Sequence, residues 1–201
     1  MKTTTLILTF VFTIMTAQPA LADSKDGRNQ NAKEQIKNLM DCYAVGSDII
    51  TRAVDAESVE GDFGNPQNIY NETFAEGLGY YRRCSTDDWA VSLQLEGGDN
   101  LLTTHGPLEW ANFHNDGSRA DGRRNMQHVI RPVSVKVRGN KGVIEAYAIV
   151  HAMYLPDSPF AGTVQTLTIT YTSHVVRKRG RWLLDKTNLN LTSISTSEAL
   201  F

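Results

Sequence analysis

The stretch from Arg123 to Asn190 leaves this chain few folds to choose from. Four β-branched, alternating runs follow one another there, at 125–137, 142–154, 162–177 and 182–191. Arg138-Gly139-Asn140-Lys141 and Lys178-Arg179-Gly180 punctuate them, with Gly and Asn supplying the positive φ of tight hairpin turns. Consecutive strands joined by short turns make an antiparallel meander. Both its faces carry apolar residues, with Val143, Tyr147 and Ile149 on one and Ile144, Ala146 and Val150 on the other. The rest of the chain has to cover at least one of them.

Upstream, Ile36, Leu39, Met40, Tyr43, Ser47, Ile50 and Val54 recur at three- and four-residue spacing, which predicts an amphipathic helix over 31–55. Tyr43 is central in that stripe and Asp48 lies on its flank. A polar, Gly-containing connector at 57–65 leads to a second helix that opens at Pro66 and ends before Gly77 or Gly79. Tyr80-Tyr81 reads as the start of a strand, and 89–95 as a better one closed by Gly97-Gly98-Asp99-Asn100. Gly106-Pro107 can open a third short helix with Leu108, Trp110, Ala111 and Phe113, followed by a polar loop at 115–122. The order is that of an α+β fold in a single domain.

The first 22 residues have the form of a secretory signal peptide: Lys2, an apolar run from Leu6 to Met15, then Ala20-Leu21-Ala22. A membrane span needs about 20 mostly apolar residues and this run is about half that. The expected product is periplasmic or secreted, with a polar flexible leader at 23–30 and no membrane span. A formal net charge of −2 and the lack of a dense basic tract argue against a nucleic-acid partner. Arg177-Lys178-Arg179 with Arg181 reads as a solvated turn. Export favours oxidation of Cys42 and Cys84. A bridge between them would add roughly 3–4 kcal/mol in the chain-entropy account; two buried free thiols is the other reading.

Two local patterns carry a family resemblance. Tyr43-Ala44-Val45-Gly46-Ser47-Asp48 resembles a Tyr-Ala-x-Ala/Gly-x-Asp helix motif of SnoaL-like proteins. His128, the alternating Val133, Val135 and Val137, and then Gly139-Asn140 resemble the first meander strand of the same group, and Gly180-Arg181-Trp182-Leu183-Leu184 its closing strand. The resemblance covers roughly Asn31 to Leu191, within a domain placed at 31–195 and a tail at 196–201. It implies the nuclear transport factor 2-like fold, a cone in which helices pack on a curved antiparallel sheet around a hydrophobic pocket. The longer segment between Asp55 and Gly77, and Pro132 in the first meander strand, depart from the pattern.

The resemblance further implies that His128 and Asp48 work together, with Tyr43 as a hydroxyl donor. A neutral imidazole is a base matched to neutral pH, a carboxylate on its other nitrogen fixes the tautomer, and a Tyr hydroxyl can stabilise a developing oxyanion. Each residue also has a plain structural reading: His128 and Tyr43 as hydrogen-bonded core, Asp48 as a solvated or capping charge. Tyr70, Phe74, Trp89, Trp110 and Tyr147 are the candidates to line an apolar pocket. His105, His114, His151 and His174 show no metal-ligand spacing, and no nucleophile elbow, phosphate loop or dinucleotide fingerprint is present. The expectation is an exported, cofactor-independent dehydratase or isomerase of a small oxygenated hydrophobic molecule, homodimeric through the meander. The alternative is a non-catalytic periplasmic ligand-binding or accessory protein. If the sheet serves assembly alone, Tyr43, Trp89 and Phe113 should fill the pocket.

Overall fold

A computed structural model describes residues 25–58, 65–98 and 100–199. The expected signal peptide, the start of the leader, most of the 57–65 connector, Asp99 and the last two residues lie outside the described residues. The elements are α1 (Lys25–Ser58), α2 (Pro66–Cys84), β1 (Ser85–Leu95), β2 (Asn100–His105), α3 (Pro107–Asp121), β3 (Arg123–Arg138), β4 (Lys141–Tyr154), β5 (Thr163–Lys178) and β6 (Arg181–Glu198). They make one sheet of order β2-β1-β6-β5-β4-β3. The meander β3–β6 is antiparallel throughout, as its hairpin signals demand.

The sheet is mixed rather than antiparallel, because β1 runs parallel to β6. Its partner β2, which the sequence reading did not resolve, pairs antiparallel on the outer side of β1. The sheet is curved and unclosed, and its register shifts between Pro132 and Ser134 on β3 and, on β5, between Thr168 and Ile169 and between His174 and Val175, irregularities of the kind that bend a strand. Pro132 sits beside one of these irregularities on an edge strand, where a residue without an N–H is tolerated.

The predicted stripe of α1 is its buried face: Ile36, Leu39, Met40, Tyr43, Ser47, Ile50 and Val54 are all buried. Ile36, Leu39, Met40, Tyr43 and Ile50 share one core cluster with Ile144, Ala146, Ala148, Val150 and Ala152 of β4 and with Ile169, Tyr171, Val175, Leu184 and Leu189 of β5 and β6. The helix begins at Lys25, earlier than the expected 31, so the polar leader is helical where it is described. Its first turns carry polar side chains that bond along the helix, such as Gln35 to Asn31 at 2.7 Å, and leave no apolar period to read.

Two boundaries move for a physical reason. α2 does not stop at Gly77 or Gly79; it starts with Asn65 capping the Gln67 N–H at 3.0 Å and continues to Cys84, so Tyr80-Tyr81 is helix and not strand. Gly77 is an approach site, since a Cβ there would lie 2.6 Å from Ile50 Cγ1 on α1. A Cβ at Gly46 would likewise meet Tyr81 Cε1 at 2.8 Å. α3 extends through the expected 115–122 loop to Gly122, whose φ of 65° ends it in a left-handed cap. Its polar residues Asn115 and Ser118 are buried, and Ser118 Oγ donates to the His114 carbonyl at 2.8 Å.

Candidate active site

β3 is an edge strand, and the His128 N–H points away from β4 into reach of α1. The Asp48 carboxylate takes that N–H at 3.2 and 3.3 Å and the same residue's ring Nδ1 at 2.6 Å. One turn pair further along α1, Asp55 holds Arg124 Nε at 3.3 Å, so two carboxylates seven positions apart fasten the helix to the strand. The His128 ring is 2% exposed and Asp48 24%. An ionised carboxylate only accepts, so Nδ1 is the protonated nitrogen and Nε2 is left as the basic one. Asp48 thus sets the tautomer a general base requires and would stabilise the imidazolium formed when that base takes a proton.

The other side of the His128 ring borders a partly open cavity of about 330 Å³ between α1, α3 and the concave face of the sheet. Leu93, Phe113, Met126, Leu167, Ile169 and Leu189 give it an apolar wall. Its polar lining is unusual: Tyr43 Oη, Trp110 Nε1, His114 Nδ1 and Tyr171 Oη are all buried and none makes a hydrogen bond of normal geometry among the described residues, although the Tyr43 hydroxyl lies near the Ser47, Tyr171 and Trp110 side chains. Tyr43 stands edge-on to the His128 ring at 6.1 Å and to Tyr171 at 5.6 Å. Burial pushes the Tyr43 and Tyr171 hydroxyls well above their ordinary pKa, so both keep their protons and can donate. His114 packs on Trp110 at 4.9 Å and lies 6.3 Å from His128. Burial first, then the nearby His128 and Arg123 charges, push its pKa down to about 3, so it is a neutral imidazole at physiological pH. Arg123, paired with Asp121, adds charge to the lining, and Gln165 adds a neutral carboxamide whose oxygen accepts from Tyr154 Oη at 2.5 Å.

The structure therefore brings His128, Asp48 and Tyr43 together and puts Trp110 in the same cavity wall. The remaining pocket candidates lie elsewhere. Trp89 is core behind Tyr43 and Tyr81, with its Nε1 donating to Thr187 at 3.0 Å. Tyr70 and Phe74 stack on each other on α2, and Tyr70 meets the Arg119 guanidinium at 4.6 Å. Tyr147 is 56% exposed on the opposite face of the sheet. Aromatic spacing marks burial but not which layer is buried, which is why these four misled. Tyr43 and Phe113 line the cavity without filling it, against the collapsed-pocket reading. His114 and Tyr171 were missed. His114 could have been found only by extending α3, which places it one turn after Trp110. Cys42 and Cys84 do meet, at the α1–α2 crossing, where both are free thiols.

No protein-family model matches the chain, and no curated protein matches it in sequence. Solved structures do. Hexachlorocyclohexane dehydrochlorinase LinA-type3 from Novosphingobium barchaimii is similar with a TM-score of 0.59 at 14% identity, over 87% of this chain and 96% of that one. A putative scytalone dehydratase from Novosphingobium aromaticivorans gives 0.57 at 14% identity, over 88% and 93%. The beta subunit of a putative aromatic-ring-hydroxylating dioxygenase from the same organism gives 0.54 at 13%, over 84% and 94%. These identities speak for architecture alone. The chain has a nuclear transport factor 2-like cone fold, the architecture that the resemblance in its sequence implied.

Proposed function

We propose that this protein is a cofactor-independent lyase that removes a proton from carbon next to an oxygenated centre and expels a leaving group from the neighbouring carbon. The observation that carries the reading is the coincidence, around one small cavity, of a carboxylate-oriented imidazole and four buried polar groups that make no hydrogen bond of normal geometry among the described residues. His128 Nε2 takes the proton, the C–H electron pair becomes the new double bond, and the leaving group departs with its own pair. Tyr43, Tyr171 and Trp110 donate to the substrate oxygens, where charge gathers in the transition state. The same groups run an isomerisation if His128 returns the proton to a different carbon. The names of two similar structures, a dehydrochlorinase and a dehydratase, describe eliminations and support this class. A cavity of about 330 Å³ is at the lower end of ligand pockets and suits a small, largely apolar, oxygen-bearing molecule.

The proposal extends to export, on the signal-peptide pattern, and to a homodimer. Export is checked by the mass of the mature chain in a periplasmic fraction, which should begin at Asp23. The test of the chemistry is a panel of β-hydroxy and β-halo carbonyl compounds, followed by variants on the best substrate. His128→Ala and Asp48→Asn should lower kcat/KM by about 10²–10⁴, the second through the wrong tautomer. Tyr43→Phe should lower kcat while changing stability by no more than about 1 kcal/mol, since the hydroxyl makes no hydrogen bond of normal geometry among the described residues. Full turnover by His128→Ala would refute the assignment; ligands that bind without turning over would leave a carrier.

A further inference from the structure

With glycine at positions 46 and 77, α1 and α2 pack almost backbone to backbone, and their antiparallel crossing sets Cys42 beside Cys84, the last residue of α2. Both thiols donate to one carbonyl oxygen, that of Tyr80, at 3.2 Å from Cys42 and 3.1 Å from Cys84. Sharing that one acceptor holds the two sulfurs close together. The two are not equivalent. Cys84 is buried and Cys42 is partly open to solvent. Arg83 stacks over the Tyr80 ring at 4.1 Å, and Arg181 Nη2 donates to the Arg83 carbonyl at 2.7 Å, which sets two guanidinium groups near Cys42. The cationic surface continues into a groove of about 380 Å³ lined by Arg82, Lys178, Arg179 and Arg181, with Asp87 its one acid.

We propose that Cys42 and Cys84 are a redox pair that closes a disulfide between α1 and α2 by exchange with an anionic, carboxylate-bearing disulfide, Cys42 attacking first. The Cys42 thiolate attacks one sulfur of the incoming disulfide, forms a mixed disulfide and expels the first thiol. Cys84 then gives up its proton and attacks the Cys42 sulfur, expelling the second thiol. The two protein thiols are oxidised by two electrons and the incoming disulfide is reduced to two thiols. The order of attack follows from access and charge. The Cys84 hydrogen bond and then the two arginines, acting against burial, lower the Cys42 pKa, whereas its hydrogen bond to Cys42 and burial raise that of Cys84. The bridge would sit next to Tyr43 in sequence and tie down the helix that also carries Asp48, but it stands or falls independently of the lyase reading.

The test uses the reduced mature chain, exposed at low ionic strength to oxidised glutathione or to cystamine, then quenched, alkylated and mapped by mass spectrometry. The expected product is a Cys42–Cys84 cross-linked peptide within one chain. Cys84→Ser should trap glutathione on Cys42, and Cys42→Ser should leave Cys84 unmodified. Oxidised glutathione should react several-fold faster than cationic cystamine, after correction for each reagent's rate with a small free thiol, and high salt should erase the difference. Thiols that stay free with both reagents, a cross-link between chains, or equal labelling of Cys42 and Cys84 in the single variants would each overturn the pair. Cystamine matching glutathione at low salt would overturn the charge-selected entry.

Discussion

Tyr43 Oη, Trp110 Nε1, His114 Nδ1 and Tyr171 Oη are buried without a hydrogen bond of normal geometry among the described residues, and a buried polar group left wholly unsatisfied costs about 1–3 kcal/mol. A cavity with no ligand to meet would be lined more stably by apolar side chains of the same shape. His114 gives this argument a pH dependence. Its native pKa of about 3 lies below the ordinary 6.5, so between those values the unfolded chain binds a proton that the native chain refuses. Stability therefore falls as pH drops through that window, by up to about 1.4 kcal/mol per pH unit, and the contribution is fully present only above 6.5. Urea unfolding at stepped pH should show a shallower acid slope for His114→Gln than for the native chain. Equal slopes would mean that native His114 is protonated with the rest. Of the residues around this cavity, Tyr43, Asp48 and His128 were legible because each sits in a local motif. Tyr171 was not, because in the Thr-rich β5 its ring reads as one more aromatic at strand spacing, and only the fold shows that its hydroxyl reaches the same space as Tyr43.

Elements were legible where apolar periodicity is strong and misread where glycine carries a packing role. The α1 stripe and the four meander strands announce themselves through period and turn chemistry. Gly77 looked like a terminator because glycine weakens helices, yet it lies inside α2, where the alternative is a clash with Ile50 and the Gly46 carbonyl. What a glycine does in a helix depends on what is packed against it, and no local signal carries that. Gly77→Ala should destabilise the protein by about 1–3 kcal/mol despite alanine's better helix propensity, because the added methyl separates α1 from α2. Gly79→Ala has room, with Arg83 Nη1 at 3.8 Å as its nearest neighbour, and should be neutral or slightly stabilising. Equilibrium denaturation of the two variants separates the readings: if both stabilise, the close crossing is not real.

At the scale of the whole molecule, the meander dictates one broad curved surface, which β1 and β2 extend beyond β6 and whose concave side the helices cover. The parallel β1–β6 pair was hidden from sequence because it joins the first and the last strand of the sheet in chain order, and no short turn connects them. The concave side is served by helices, cavity and core. The other side is not: Val129, Val133, Tyr147 and Ile149 of β3 and β4 are 47–57% exposed, and Val129 pairs with Ile149 and Arg131 with Tyr147 across the strands. Four large apolar side chains clustered on one sheet face form the kind of patch that interfaces use. A second copy, offering the same patch, is the occupant this geometry suits, because a two-fold interface brings a surface against itself. The native protein should then sediment as a dimer at micromolar concentration, with a Tm that rises with concentration. Ile149→Lys should yield a folded monomer whose Tm no longer depends on concentration, since a half-exposed position can take a charge without disturbing the core. Because His128 and Ile149 lie on opposite faces of the sheet, the monomer should still bind whatever the cavity binds. Loss of ligand binding together with the dimer would place the interface, and not the cone alone, in charge of the cavity's shape.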